Sequence, residues 1–228
     1  MRTVRRLVAI PVLAVAAAWA AVLARPALAT AWRRFRTAST PSIGLYDAAA
    51  SLFLGGYYDE IAADCLSAVA GVPEPAVLEI GPGPGHLAER LLLAAPAVHL
   101  TELDIDPEML AATGGRLGRR GLAARASLVE GDVAAMPFGD AAFDLVVSSL
   151  SAHHWPDSAA GFREIRRVLR PGATALVYDL PPSWGHVETG SRGIESAGDA
   201  FPEPRVTRVR GLGPVTLVSR VELRRPDA

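Results

Sequence analysis

The chain has 228 residues, enough for one domain with a large core and some remainder. Its 23 Lys and Arg offset 24 Asp and Glu to a formal net charge of −1, and aromatics make up 6% with no basic stretch interleaved among them, so no nucleic-acid partner is expected. Cys65 is the sole cysteine, which excludes an internal disulfide and a multi-cysteine zinc site and reads as packing.

Mean hydropathy is +0.24, high for a soluble domain, and the N-terminus supplies much of it. Arg2, Arg5 and Arg6 precede an uncharged stretch over residues 7–24. As a helix it would span about 27 Å, close to the ~30 Å hydrocarbon core of a bilayer. Trp32 and the Arg33, Arg34 and Arg36 cluster supply interfacial flanks, so residues 1–36 read as a membrane anchor. A cleaved signal ending near Ala27-Leu28-Ala29 is the alternative, and an amphipathic surface helix fits poorly because no face is polar. Four arginines after the apolar run and three before it favour a single-pass cell-membrane protein with its catalytic domain in the cytoplasm. Residues 37–44 are small and polar and read as a linker, leaving 45–228 as the main domain.

Residues 45–70 carry a helical pattern interrupted at Gly55-Gly56, with Tyr57 and Tyr58 opening its second part. Apolar runs predict strands over 76–80, 97–103 (ending at Asp104), 126–130 and 143–150, and helices over 86–93, 107–120 and 158–169. Arg170-Pro171-Gly172 reads as a helix stop and 173–179 as a fifth strand. Residues 181–204 read as a loop with a poor helix, and 205–210 and 216–224 as two terminal strands. Alternating strands and helices predict an α/β fold: a doubly wound, mostly parallel seven-stranded sheet with an N-terminal apolar helix.

The richest local signal is Val77-Leu78-Glu79-Ile80-Gly81-Pro82-Gly83-Pro84-Gly85-His86, a buried strand entering a helix through a turn with almost no side chains. Such a turn lets a ligand approach the main chain at a helix N-terminus. Ligands of doubly wound sheets lie beyond the C-terminal strand ends. Four features fall there: Gly81–Gly85, Asp104 after the second strand, Asp132 after the third, and residues 148–154 after the fourth. Asp104 at such a place suits the two hydroxyls of a ribose. A dinucleotide turn would need a third glycine at position 86, where His86 stands.

From about Tyr57 to Asp179 the chain resembles the class I S-adenosylmethionine-dependent methyltransferases, in particular the group that includes quinone and small-molecule methyltransferases. Residues 77–85 match the family's first motif, and 103–110 (Leu-Asp-Ile-Asp-Pro-Glu-Met-Leu), 130–138, 143–148 and 167–172 match those that follow, in order. Ala173 stands where the family often has a second glycine. The resemblance implies S-adenosyl-L-methionine as cofactor. It implies Glu79 with Gly81, Gly83 and Gly85 at the methionine part, Asp104 on the ribose, Ile105 against the adenine, Asp132 and the Val133 N–H at its edge, and the backbone after Ser148 near the sulfonium. Tyr57 and Tyr58 stand where the family's N-terminal helix covers the cofactor.

The cofactor's methyl is already activated, so the protein's main task is to align a nucleophile and exclude water, worth ~7–11 kcal/mol. An acceptor that must lose a proton also needs a base, and His154, then His153, are the candidates. The expected reaction is methyl transfer to a small-molecule or lipid-like acceptor. An NAD(P)-dependent oxidoreductase and a membrane-tethered, non-catalytic cofactor-binding module are the alternatives.

Overall fold

Every second residue of the central strands turns to one face of the sheet and its neighbours to the other, and both sets are mostly apolar. Such strands must be covered on both sides. A computed structural model describes residue 47 and residues 54–179, 196–210 and 216–227. All lie in Asp47–Ala228, the second of two units of the chain. The stretch read as an anchor, the linker and most of the 181–204 loop lie outside the described residues. Among the described residues no helix is long and apolar enough to cross a membrane.

The elements are α1 (Gly55–Ala68), β1 (Ala76–Ile80), α2 (His86–Ala94), β2 (His99–Asp104), α3 (Pro107–Arg119), β3 (Ala126–Glu130), β4 (Phe143–Ser149), α4 (Ser158–Val168), β5 (Leu169–Asp179), α5 (Ala197–Ala200), β6 (Arg205–Arg210) and β7 (Thr216–Arg224). They build one seven-stranded sheet in the order β3-β2-β1-β4-β5-β7-β6. The first five strands run parallel, and β7 is antiparallel to both β5 and β6.

Val77, Leu145, Val147 and Leu176 face one side, where Tyr58, Ile61 and Cys65 of α1, Leu87 and Leu91 of α2 and Leu117 of α3 cover them. Leu78, Ile80, Val146, Ala175 and Val177 face the other, under Phe162, Ile165 and Val168 of α4 and Ala197 and Ala200 of α5. Each large side chain buried this way contributes ~1.5–3 kcal/mol. Side chains set the helix starts: Asp106 accepts from the Glu108 N–H (2.8 Å) with Pro107 in the first turn, and Asp157 accepts from the Ala160 N–H (2.8 Å).

The structure departs from the sequence pattern at β5. The helix stops where expected, but Arg170-Pro171-Gly172 lies inside the strand. Leu169 pairs with Phe143 and Thr174 with Leu145, so the extra residues form a bulge. The Gly172 N–H bonds the Arg225 carbonyl at 3.0 Å, and φ of +74° suits a glycine there.

Candidate functional site

The five parallel strands deliver their C-terminal ends to one edge, and the strand order reverses between β1 and β4, the place where doubly wound sheets take their ligands. Backbone bonds knit these loops together. The Gly81 N–H bonds the Leu103 carbonyl (2.8 Å), the Gly131 N–H bonds the Asp104 carbonyl (3.0 Å), and the Leu150 N–H bonds the Tyr178 carbonyl (2.8 Å). The glycine turn, Asp104, Asp132 and the 148–154 segment thus belong to one edge of one sheet.

Gly81, Gly83 and Gly85 have φ of +70°, +55° and +79°, a left-handed path that L side chains resist. Crowding adds a second reason at two of them. A Cβ on residue 81 would sit 2.2 Å from Ser151 Oγ, and one on residue 85 would sit 3.0 Å from Thr113 Cγ2. These two glycines therefore let the protein's own β4 loop and α3 close on the turn. Gly85→Ala is expected to destabilise the domain by about 1–2 kcal/mol from its backbone conformation. Thermal unfolding reads this as a midpoint lowered by several degrees.

Asp104 is half-buried at the end of β2 and accepts from the Asp106 N–H at 3.0 Å. Burial pushes its carboxyl above the usual range, an effect that the backbone N–H groups of Asp106, Ile105 and Gly83 partly offset. Ile105 beside it is 66% exposed, a large apolar side chain left on the surface next to an acid. Asp132 is exposed and accepts from the Ala134 N–H (2.8 Å), while Val133 is buried. Ser148 is fully buried, its hydroxyl without a hydrogen-bond partner among the described residues. Leu150 just beyond has φ of +54°, a strained backbone of the kind that gathers at working sites.

Tyr57 reaches the same edge from α1. Its hydroxyl lies 3.1 Å from Ser149 Oγ and its ring meets Tyr178 edge-on at 6.4 Å. Tyr58 is buried and stacks on His86 at 5.4 Å. His86 Nε2 in turn lies 2.8 Å from Asp47. Burial, helped by Arg116, holds that imidazole below its ordinary range. The residue at the third-glycine position is thus packed into the protein.

The two candidate bases differ. His154 is exposed. The His153 side chain is 10% exposed and its Nδ1 lies 2.6 Å from Oδ1 of Asp179, itself 2% exposed. Asp179 Oδ2 also accepts from the His153 backbone N–H at 2.6 Å. One carboxylate therefore fixes both the main chain and the ring of His153. Sequence reading missed Asp179, whose only signal was an acid ending a fifth parallel strand. It also missed Glu102, which pairs in register with Glu79, both carboxyls being fully buried.

Residues 78–177 match a family model described as a methyltransferase domain. The demethylmenaquinone methyltransferase of Thermus thermophilus is 35% identical over 106 residues, covering 46% of this chain and 47% of that protein. The chain spans about half the length of the curated relatives it matches. Among solved structures, one from Methanococcus maripaludis proposed to be an S-adenosyl-L-methionine-dependent methyltransferase aligns with a TM-score of 0.65 at 21% identity, covering 82% of this chain and 93% of that one. The [4+2]-cyclase SpnF aligns at 0.60 and 18% identity, covering 75% and 82%. These structures share the fold; the family match over residues 78–177, with the motif order and the strand order, likens this part of the chain to the class I S-adenosylmethionine-dependent methyltransferases.

Proposed function

We propose that the domain transfers a methyl group from S-adenosyl-L-methionine to a small, lipophilic acceptor of quinone type. The observation that carries the cofactor reading is the pairing of a half-buried acid, Asp104, with an exposed apolar neighbour, Ile105, beside the bare turn Gly81–Gly85. That pair matches a ribose joined to a flat base. His86 stands where a dinucleotide turn needs its third glycine, which argues against the oxidoreductase alternative.

In this reading the Gly81, Gly83 and Gly85 backbone with Glu79 holds the methionine part, Asp104 binds the ribose hydroxyls, and Ile105, Asp132 and the Val133 N–H hold the adenine. Ser148 and Tyr57 border the sulfonium side. The cofactor supplies an electrophilic methyl. The protein aligns the acceptor, keeps water out with Tyr57 and the β4 loop, and takes up the acceptor's proton. We assign that last role to His153 Nε2 rather than to His154, because Asp179 fixes the His153 ring and orients its Nδ1 as the donor. The quinone-type acceptor is supported by the names of curated relatives such as the Thermus enzyme. Residues 7–24 would tether the domain to the membrane that dissolves such an acceptor. On that reading the full chain sediments with membranes, and a shortened form in the medium would end it.

Calorimetric titration of the full chain with S-adenosylmethionine and S-adenosylhomocysteine, followed by labelled-methyl transfer to a panel of quinols and phenols, tests the reading. Binding of both and label in a quinol are expected. No binding of either would overturn it, as would a nicotinamide cofactor binding in their place.

A further inference from the structure

Beneath the glycine turn lie two acids that cannot both be charged. Glu79 of β1 and Glu102 of β2 occupy the same rung of the parallel ladder. They are 2% and 0% exposed, in rows of apolar neighbours such as Val77 and Leu100. Both oxygens of Glu102 and Oε2 of Glu79 meet no donor from other groups among the described residues, and the two carboxyls lie within hydrogen-bonding reach of each other. Ionising both would place two like charges in a low-dielectric interior, without a cation to offset them.

Among the described residues, the groups around the pair do not supply one. On β2, Asp104 adds a further negative charge. On α1, Cys65 is a buried neutral thiol, and Asp64 is held by the Tyr178 hydroxyl of β5 (2.6 Å) and by Arg220 of β7 (2.8 Å). Across α2 and α3, Arg116 is committed to Glu89 and Asp47, and His86 to Asp47. Burial, and then Glu79, hold the Glu102 carboxyl well above the usual range, and burial pushes Glu79 up to about 8.

We infer that Glu102 and Glu79 both hold their protons in the free protein and release one to solvent when the cationic methyl donor enters the adjoining cradle, so that cofactor binding is coupled to proton loss. The inference rests on the cofactor reading above. In the step, one carboxylic O–H bond breaks, its electron pair stays on the carboxylate, and the proton passes to the buffer. A cation nearby favours the singly ionised pair, and a ligand that lowers a group's pKa binds more tightly as pH rises toward the free protein's titration. Glu102 thereby discriminates by charge: the methyl donor carries a sulfonium, and the spent thioether product does not. Below the titration of the pair, a rise in pH favours the donor over its product.

Calorimetry on the full chain at pH 7 in phosphate and in Tris, buffers that differ in ionisation enthalpy, counts the protons released. About one proton per S-adenosylmethionine is expected, and fewer with S-adenosylhomocysteine. Donor affinity should rise up to about tenfold between pH 6 and pH 7, below the titration of the ligand's own amine. Glu102→Gln should abolish the release and flatten that rise. Binding without proton release, equal release with both ligands, or an unchanged count in Glu102→Gln would each overturn the coupling. The wild-type count needs no variant, so the test survives a Glu102→Gln that does not fold. Absence of any binding would instead overturn the cofactor reading, and the coupling with it.

Discussion

Asp104→Ala is expected to weaken S-adenosylmethionine binding on the order of a hundredfold, about 2.7 kcal/mol. The figure follows from two hydrogen bonds between a carboxylate and the ribose hydroxyls, each worth about 1.5–3 kcal/mol when charge-assisted, less what water returns to a half-exposed site. Asp104→Asn keeps one carbonyl acceptor without the charge and should lose about tenfold. Because Asp104 also accepts from the Asp106 N–H, the alanine variant removes a bond from the loop itself. Thermal unfolding beside the titration separates the two effects: a midpoint within a few degrees of wild type with affinity lost assigns the carboxylate to the ligand. Wild-type affinity in a folded Asp104→Ala would remove Asp104 from the binding site and leave Ile105 exposed for some other reason.

Asp104 was legible because its signal is local. An apolar run ends in an acid, and the next strand of the pattern begins within a helix's length. The same holds for the glycine turn, where three residues of one type at fixed spacing state a backbone path. The central strands were legible for a related reason: Phe143–Ser149 is almost wholly apolar, as a strand covered on both faces must be. Local reading failed at the start of β5. Proline and glycine there signal a stop, and they do end α4, but the Leu169–Phe143 pairing and the Gly172–Arg225 bond recruit the same residues into the sheet. Those bonds come from β4 and from the residues after β7, which no window around residue 171 contains. Glu102 and Asp179 stayed hidden for the same cause. Glu102 is unusual only when the register sets it beside Glu79, and Asp179 matters only because the β4 loop folds His153 back onto it. What the sequence pattern conveys well is thus the proposed cofactor end of the strand edge, built from contiguous motifs. The proposed acceptor end draws on α1, the β4 loop and the end of β5.

That division bears on function, because the scaffold alone does not decide the chemistry. The [4+2]-cyclase SpnF shares this fold, so the fold is compatible with a reaction other than methyl transfer. The acceptor end separates these outcomes. His153→Gln is expected to lower the rate of methyl transfer to a proton-bearing acceptor by about 10²–10⁴, the usual contribution of a positioned general base, with cofactor affinity unchanged. Asp179→Asn should lower kcat by about 10² or more with little change in KM. The amide can still accept from the His153 backbone N–H, but it lacks the carboxylate that fixes the ring. Exposed His154→Gln should stay near wild type. This pattern of kcat falling in two variants and holding in the third, measured in single-turnover assays with labelled donor, is what a histidine oriented by a buried carboxylate requires. A His153→Gln enzyme that methylates at full rate would leave the pair a structural brace, with the acceptor reacting by alignment alone.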